Sequence, residues 1–273
     1  MKIHLLAEAA PNPVLTAVMA ELDRHHEVEV FDDQTLPAGY GTGPDLQEPP
    51  DVVLLKSRTP QARQVARTAE RAGSLVVNSP TATATALDRA ATAEALDRAG
   101  GPAPRPWSVA TLRDLAGDGG GLPWPLVVKS RTSSRRDLVR LVRSRTELDE
   151  LLPEWGKEPV VAQEFAANDG FDIKVWVIGA HLSAARRRSA LESLDKSSDE
   201  FLDPADLPED WTRAARDAGA ALGLRLYGVD LLVTGGRPVV VDINPFPGFR
   251  GAHQPADALL RFLSTLVTAG VRA

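Results

Sequence analysis

The stretch that most constrains the fold is a pair of apolar segments near the C-terminal end of the sequence, Leu222–Asp230 and Pro238–Phe249. Gly235 and Gly236 stand between them. A Gly-Gly pair between two apolar runs is favoured turn chemistry for a short β-hairpin. The pattern therefore predicts two antiparallel strands that are mostly buried.

Three polar side chains interrupt these predicted strands: Asp230 on the first, and Asp242 and Asn244 on the second. A buried carboxylate is costly unless it is paired or holds a cation. Asp242 and Asn244 are two residues apart, so both leave the same face of one strand, and Asp230 can add a third oxygen. Hard oxygen ligands suit Mg²⁺, with Mn²⁺ as an alternative, and Mg²⁺ is usually shared with nucleotide phosphates. The alternative is that these residues only cap the strand ends.

Composition narrows the function classes. The chain has 273 residues and a net charge of −6, which argues against general nucleic-acid binding through a basic surface. There is no cysteine, which excludes disulfides, thiolate catalysis and cysteine-ligated metals. No apolar run approaches the roughly 20 residues that cross a bilayer, and the N-terminus does not resemble a signal peptide. We expect a cytoplasmic protein that does not enter membranes.

The order of predicted elements indicates two kinds of organisation. Up to about residue 83, strands alternate with helices, which predicts an α/β domain with a parallel sheet at 1–83. Residues 84–273 instead show antiparallel strands beside helices, typical of α+β organisation. Within them we expect one helix over 80–99 and a hairpin that pairs Phe171–Ile178 with His181–Arg188. Two glycine-rich stretches, 39–43 and 117–121, lack the strand-to-helix context of a phosphate loop and are predicted to be surface loops.

Several cationic side chains end apolar strands. Lys129 closes one strand, where a half-buried ammonium group requires an anion such as an ATP phosphate, although a strand-end lysine also often reaches solvent. Lys174 alternates with apolar neighbours on another strand. Alternation also places Arg186 and Arg188 on one face of the next strand and Arg187 on the other. Such side chains can converge on a transferring phosphoryl group, whereas a solvated basic strand end is the alternative.

Taken in order, these features resemble the ATP-grasp enzymes over roughly residues 75–252. The resemblance implies an N-terminal Rossmann-like, pre-ATP-grasp domain followed by two α+β lobes that sandwich ATP, with the lobe boundary near 163–170. It also implies roles for individual residues. The adenine would be contacted by Gln163, Glu164 and Phe165, and the ribose by Asn168 or Asp169. The phosphates would be contacted by Lys129 and Lys174, the transferred group stabilised by Arg188, and Mg²⁺ held by Asp230, Asp242 and Asn244.

Two branches of this superfamily resemble the chain. The segment from Asp172 to Gly179, with the Arg186–Arg188 run, looks like the RimK-type carboxylate–amine ligases. Asp242, where ligases usually carry Glu, and Leu87-Asp-Arg89, where they usually have Asp-Lys, look like inositol trisphosphate kinases. We predict the ligase, which activates a carboxylate as an acyl phosphate and joins it to an amine. A small-molecule kinase is the close alternative, and a non-catalytic nucleotide-binding protein is a third.

The resemblance also implies a small-molecule or peptide substrate and a homo-oligomer, but it leaves the substrate unnamed. One departure concerns the phosphates. Lys129 is followed by Ser130–Arg136, which contains no glycine, so no glycine-rich loop is available to cover them. Arg131, Arg135 and Arg136 could furnish a basic pocket there instead.

Overall fold

The computed structural model describes residues 1–8, 12–32, 36, 49–117, 121–134, 137–189, 191 and 199–270, and only the backbone of 267–270. Four features of the sequence lie wholly or partly outside these residues. They are the glycine-rich stretch 39–43, the centre of 117–121, the arginines at 135 and 136, and residues 190 and 192–198 of the acidic, serine-rich segment 189–208.

The N-terminal part is a four-stranded, fully parallel sheet with strand order β2-β1-β3-β4. Its α-helices begin at Pro13 and Pro60, where proline suits the first turn, and Asn12 and Thr59 accept hydrogen bonds from the exposed N–H groups. Its elements are β1 (Lys2–Ala7), α1 (Pro13–Leu22), β2 (Glu27–Asp32), β3 (Val52–Leu55), α2 (Pro60–Arg71) and β4 (Leu75–Val77). The predicted parallel sheet is therefore present. That it is a Rossmann-like domain ending at residue 83 stays a prediction.

A second sheet is antiparallel, with strand order β5-β8-β6-β7. Two helices cover it, and residues such as Leu112, Leu126 and Leu148 build a separate core between them. The elements are β5 (Pro106–Val109), α5 (Leu112–Gly117), β6 (Leu126–Ser130), β7 (Val139–Val142), α6 (Arg145–Trp155) and β8 (Val160–Glu164). We did not predict β5 or α5, because Pro and Gly residues around them favour an extended connector.

The third sheet is also antiparallel, with strand order β11-β10-β9-β12-β13. Both predicted hairpins are present, and Gly235 and Gly236 have positive φ angles of 57° and 80°, which glycine tolerates without steric cost. The elements are β9 (Phe171–Ile178), β10 (His181–Arg188), β11 (Glu200–Leu202), α7 (Glu209–Leu222), β12 (Leu226–Thr234) and β13 (Arg237–Pro245). Residues 165–170 connect the second sheet to the third.

The single helix predicted over 80–99 is wrong. The structure has two helices, α3 (Pro80–Leu87) and α4 (Arg89–Arg98), with Asp88 between them in an extended conformation. The Asp88 carboxylate accepts hydrogen bonds from the N–H groups of Ala90 and Ala91 and pairs with Arg131 at 2.9 Å. Asp88 caps α4, and this break brings the side chain of Arg89 toward the sheets.

The two faces of the third sheet have different partners. Val175, Val229 and Ile243 point toward α3, α4 and α7. On the opposite face, Trp176 and Phe246 share a core with the N-terminal sheet and with the last helix, α8 (Pro255–Gly270). This second face is apolar at one end and carries charged side chains at the other, and the charged end is the candidate site.

Candidate active site

Strand register brings the predicted site residues into a row across the third sheet. Lys174 on β9 is the direct neighbour of Asp230 on β12, and Asp230 is the direct neighbour of Asp242 on β13. Asn244 follows two residues further along β13, so it shares their face. The sequence pattern predicted this common face, and the strand pairing confirms it.

Asp230 lies between two cations. Its Oδ2 atom is 2.9 Å from Lys174 Nζ and its Oδ1 atom is 3.2 Å from Arg187 Nη2. Only 15% of the Asp230 side chain and 7% of the Lys174 side chain are exposed to solvent. Because a buried carboxylate needs such partners, these contacts hold the Asp230 side chain in this position.

Asp242 faces a third cation, Arg89, at the start of α4. The Arg89 Nε atom lies 3.5 Å from Asp242 Oδ1, and Arg89 Nη1 lies 2.7 Å from Asp137 Oδ2. Arg89 Nη1 also donates a hydrogen bond to the Ser130 carbonyl oxygen. Burial acts to raise the pKa of Asp242, but Arg89, Lys129 and Lys174 outweigh it and hold that pKa below its usual value. Asp242 is therefore ionised at neutral pH.

Lys129 links the second sheet to the third. It lies on β6, and its Nζ atom donates a 2.7 Å hydrogen bond to the carbonyl oxygen of Val241 on β13. Burial lowers the pKa of Lys129, although the nearby carboxylate of Asp242 acts against that shift. The predicted phosphate-binding lysine is therefore buried at the junction of the two sheets, beside the predicted metal ligands.

The N-terminal part also reaches this site. Arg58 follows β3, and its Nη2 atom donates a 2.8 Å hydrogen bond to Asn244 Oδ1. In parallel sheets, ligands commonly bind beyond the carboxyl ends of the strands, which is where Arg58 lies. We did not predict a site role for Arg58 or Arg89. The sequence signals for them were indirect, since Arg58 follows an apolar strand and Arg89 belongs to the Leu87-Asp-Arg89 motif, which served only to compare the two branches.

A cavity of about 330 Å³ lies between the second and third sheets, beside Lys129, Asp230 and Asp242. A volume of this order is typical of small-molecule sites. Its apolar wall includes Val127, Val139 and Leu232. The predicted residues that line it are Lys129, Gln163, Glu164, Phe165, Asp230 and Asp242. Asp230 and Asp242, two of the three predicted metal ligands, therefore face the same space as the predicted adenine-binding residues.

Four predicted residues are not among those that line the cavity: Lys174, Asn244, Asp169 and Arg188. Lys174 and Asn244 lie in the row of side chains described above, on the same face as Asp230 and Asp242. Asp169 instead pairs with Arg186 at 2.8 Å on an exposed surface. Arg188 stacks over the ring of Phe171, with 5.6 Å from its Cζ atom to the ring centroid. Asn168, the alternative ribose contact, accepts a hydrogen bond from the Gly170 N–H group within the turn. Arg187 and Asp172 line the cavity instead, although our sequence analysis assigned neither to the site.

The comparisons with known proteins agree with this geometry. The family model described as "RimK-like ATP-grasp domain" matches residues 113–258, more than half of the chain. The chain is 29% identical to a "Probable alpha-L-glutamate ligase 2" of Shewanella frigidimarina over 274 residues, covering 90% of each protein. A RimK domain ATP-grasp protein from Sphaerobacter thermophilus superimposes with a TM-score of 0.75 at 22% identity, over 96% of this chain and 99% of that one.

A D-alanine–D-alanine ligase from Bacillus anthracis, in a complex with ATP, superimposes with a TM-score of 0.70 at 19% identity, over 100% of this chain and 98% of that chain. These structural likenesses confirm the predicted ATP-grasp fold. The chain belongs to the RimK-like ATP-grasp family. It is an ATP-dependent carboxylate–amine ligase, as we predicted, and the kinase and non-catalytic alternatives find no support among these relatives.

Proposed function

We propose that this ligase binds Mg-ATP in the cavity between the second and third sheets and uses L-glutamate as one of its two substrates. The observation that carries the site is the cavity itself, where Lys129 faces Asp230 and Asp242 across the two sheets. The assignment of L-glutamate follows the name of the Shewanella relative, a probable alpha-L-glutamate ligase that aligns over 90% of this chain. L-Glutamate supplies the amine, and the other substrate supplies the carboxylate, on a small molecule or a peptide.

Within this cavity we assign the adenine to the β8 end, where Gln163, Glu164 and Phe165 lie beside apolar residues of the second sheet. The phosphates then extend toward Lys129 and Lys174. Arg187 is a stronger candidate than Arg188 for stabilising the transferred phosphoryl group, because Arg187 lies 3.2 Å from Asp230. A preorganised guanidinium in a partly dry site stabilises negative charge as it develops.

The predicted metal ligands fit a Mg²⁺ ion that arrives with ATP. Asp230 and Asp242 are direct neighbours across the hairpin, and Asn244 offers an amide oxygen on the same face. Among the described residues no group of three His, Cys, Asp or Glu side chains could hold a metal ion by itself. That agrees with Mg²⁺, which usually takes one or two carboxylates and completes its shell with phosphate and water. When bound, the ion would neutralise phosphate charge and polarise the phosphoryl group.

The proposed reaction has two steps. A carboxylate oxygen of the first substrate attacks the terminal phosphorus of ATP, the bond to ADP breaks, and an acyl phosphate forms. The unprotonated amine of the second substrate then attacks the acyl carbon, and inorganic phosphate leaves as the amide forms. During both steps the negatively charged phosphoryl groups are held by the cations Lys129, Lys174 and Arg187. The cavity walls restrict access of water to the acyl phosphate.

The test is a product analysis with the purified protein, Mg-ATP, L-glutamate and a pool of carboxylic acids and short peptides. We expect ADP and inorganic phosphate in equal amounts by phosphorus NMR, and a new amide that contains glutamate by mass spectrometry. D-Glutamate, L-glutamine and L-aspartate serve as matched amines. A glutamate-independent amide would refute the substrate assignment. ADP with a new phosphoester and no free phosphate would refute the proposed ligase reaction.

A location in the cytoplasm and a homo-oligomeric state stay predictions. Among the described residues, no helix has both the length and the apolar character needed to cross a bilayer.

A further inference from the structure

The third sheet has a second cavity at the end opposite the active site, which we call the rear cavity. It is bounded by the β9–β10 turn at Gly179 and Ala180, by α7, by the connection from α7 to β12, and by α8, and its volume is about 620 Å³. The rear cavity is therefore larger than the active-site cavity and within the range of small-molecule sites. None of the residues proposed above for catalysis lines it.

Three arginines from three different elements line the rear cavity: Arg216 on α7, Arg225 before β12, and Arg261 on α8. No carboxylate is among its lining residues, and within the described part of the chain none of the three pairs with an acidic side chain. Three unneutralised guanidinium groups around one space favour a ligand with concentrated negative charge.

Two of these arginines are held in place by the wall of the cavity. Arg216 Nη2 donates a 3.2 Å hydrogen bond to the carbonyl oxygen of Ala180. The Arg225 Cζ atom lies 5.4 Å from the centroid of the Phe262 ring. Such contacts reduce the conformational entropy lost when a ligand binds. The ring of Phe262, with Leu224 and Ala258, also gives the cavity an apolar wall.

His181, at the start of β10, also lines the rear cavity. Its Nε2 atom is buried in the cavity wall and has no hydrogen-bond partner among the described residues. The imidazole is therefore a reporter of what occupies the cavity.

We propose that the rear cavity binds a small phosphorylated molecule with an aromatic or apolar body, separately from the catalytic site. The phosphate lies among Arg216, Arg225 and Arg261, and the body lies against Phe262. His181 and Arg187 are six residues apart on β10, so the two cavities are about 20 Å apart along one strand. An occupied rear cavity therefore contacts the same sheet that carries the catalytic residues.

Histidine signals offer a direct test, because the chain has five histidines and only His181 lines this cavity. The full-length protein is labelled with ¹⁵N in histidine, the His181 imidazole signal is assigned with H181N, and AMP or inorganic pyrophosphate is added in the presence of EDTA. We expect a saturable shift of the His181 signal with a Kd below about 1 mM. AMP binding more tightly than pyrophosphate would show that the aromatic body contributes.

The matched variants are R216Q/R261Q and R213Q. Arg213 lies on the same helix, pairs with Glu209 and does not line the cavity. We expect R216Q/R261Q to weaken binding by at least about tenfold and R213Q to leave it unchanged, with both variants keeping the wild-type melting temperature and ligase rate. An unmoved His181 signal, or equal binding by R216Q/R261Q and the wild type, would overturn the proposal. Neither result bears on the ligase reaction, which is measured separately.

Discussion

The two site aspartates should respond differently to removal of their charge. Asp230 is held by two cations within 3.2 Å and its side chain is 15% exposed, whereas Asp242 has one ion-pair contact, at 3.5 Å, and its side chain is 32% exposed. We therefore predict that Asp242→Asn abolishes turnover with little loss of stability. Asp230→Asn should abolish turnover and destabilise the fold as well.

The magnitudes follow from these contacts. Asp230→Asn leaves Lys174 and Arg187 beside each other without a carboxylate, and removing one partner of a buried pair costs about 3 kcal/mol or more. For a chain of this size that lowers the melting temperature by about 6–12 °C. Asp242→Asn removes a more distant and more exposed pair, so we expect about 1 kcal/mol or less. Loss of a metal ligand should lower kcat in both variants by at least about 100-fold, or ~2.7 kcal/mol.

The assay combines thermal denaturation with a coupled measurement of ADP release. Asp149→Asn is the matched control, since Asp149 pairs with Arg145 at 3.0 Å on the exposed face of α6, far from the proposed chemistry. It should change neither property measurably. A kcat of Asp242→Asn within fivefold of wild type would refute the metal assignment. Equal melting temperatures for the two site variants would refute the reasoning about Asp230.

Three other variants extend the test. Arg58→Ala removes the charged hydrogen bond to Asn244, so we expect KM for ATP to rise about tenfold while the melting temperature changes little. An unchanged KM would show that Arg58 does not contribute to ATP binding. Burial lowers the pKa of Lys129, so the wild-type kcat/KM for ATP should fall on the alkaline side at a pH below 10.5, whereas Lys129→Arg stays charged and should shift that fall upward. The same alkaline limb in both proteins would contradict this. Gly219→Ala places a Cβ atom against the ring of Tyr227, where no space is left for it, so we expect about 3 kcal/mol of destabilisation in a denaturant titration with KM unchanged. Wild-type stability would contradict the packing.

Periodicity in the sequence was sufficient to predict the strands that carry the site. Alternation along Phe171–Ile178 separates Lys174 from Ile173 and Val175, and the structure has the same two faces. The two hairpins have short glycine-containing turns, so their register followed from local residues. Local residues were less informative where a single side chain interrupts a helical pattern. The Ala-rich stretch 80–99 has one helical periodicity, and Asp88 breaks it through a contact with Arg131, which is distant in sequence.

The site itself was only partly predictable, for a related reason. Carboxylates on buried strands signal a site because their burial is costly, and Asp230 and Asp242 were found in that way. Their cationic partners carry no such signal, since an arginine at a helix start or after a strand is ordinary on any surface. Arg58 and Arg89 reach the site because three sheets meet there, and that contact depends on tertiary packing rather than on local pattern.

The charges that surround the active-site cavity support the proposal that ATP enters with a divalent ion. Its lining residues include five carboxylates and four cations. A fifth cation, Lys174, does not line the cavity but pairs with Asp230, which does. The carboxylates are those of Asp137, Glu164, Asp172, Asp230 and Asp242, and the other cations are Arg89, Lys129, Arg140 and Arg187. A balanced cavity has no net positive field for a bare triphosphate. A divalent ion on Asp230 and Asp242 would compensate their charge, and Lys174, Arg187 and Arg89 would then be available to the phosphates. Under the proposed function, the ion pairs of the free protein would keep the cations that we assign to the phosphates in place until nucleotide and metal arrive together.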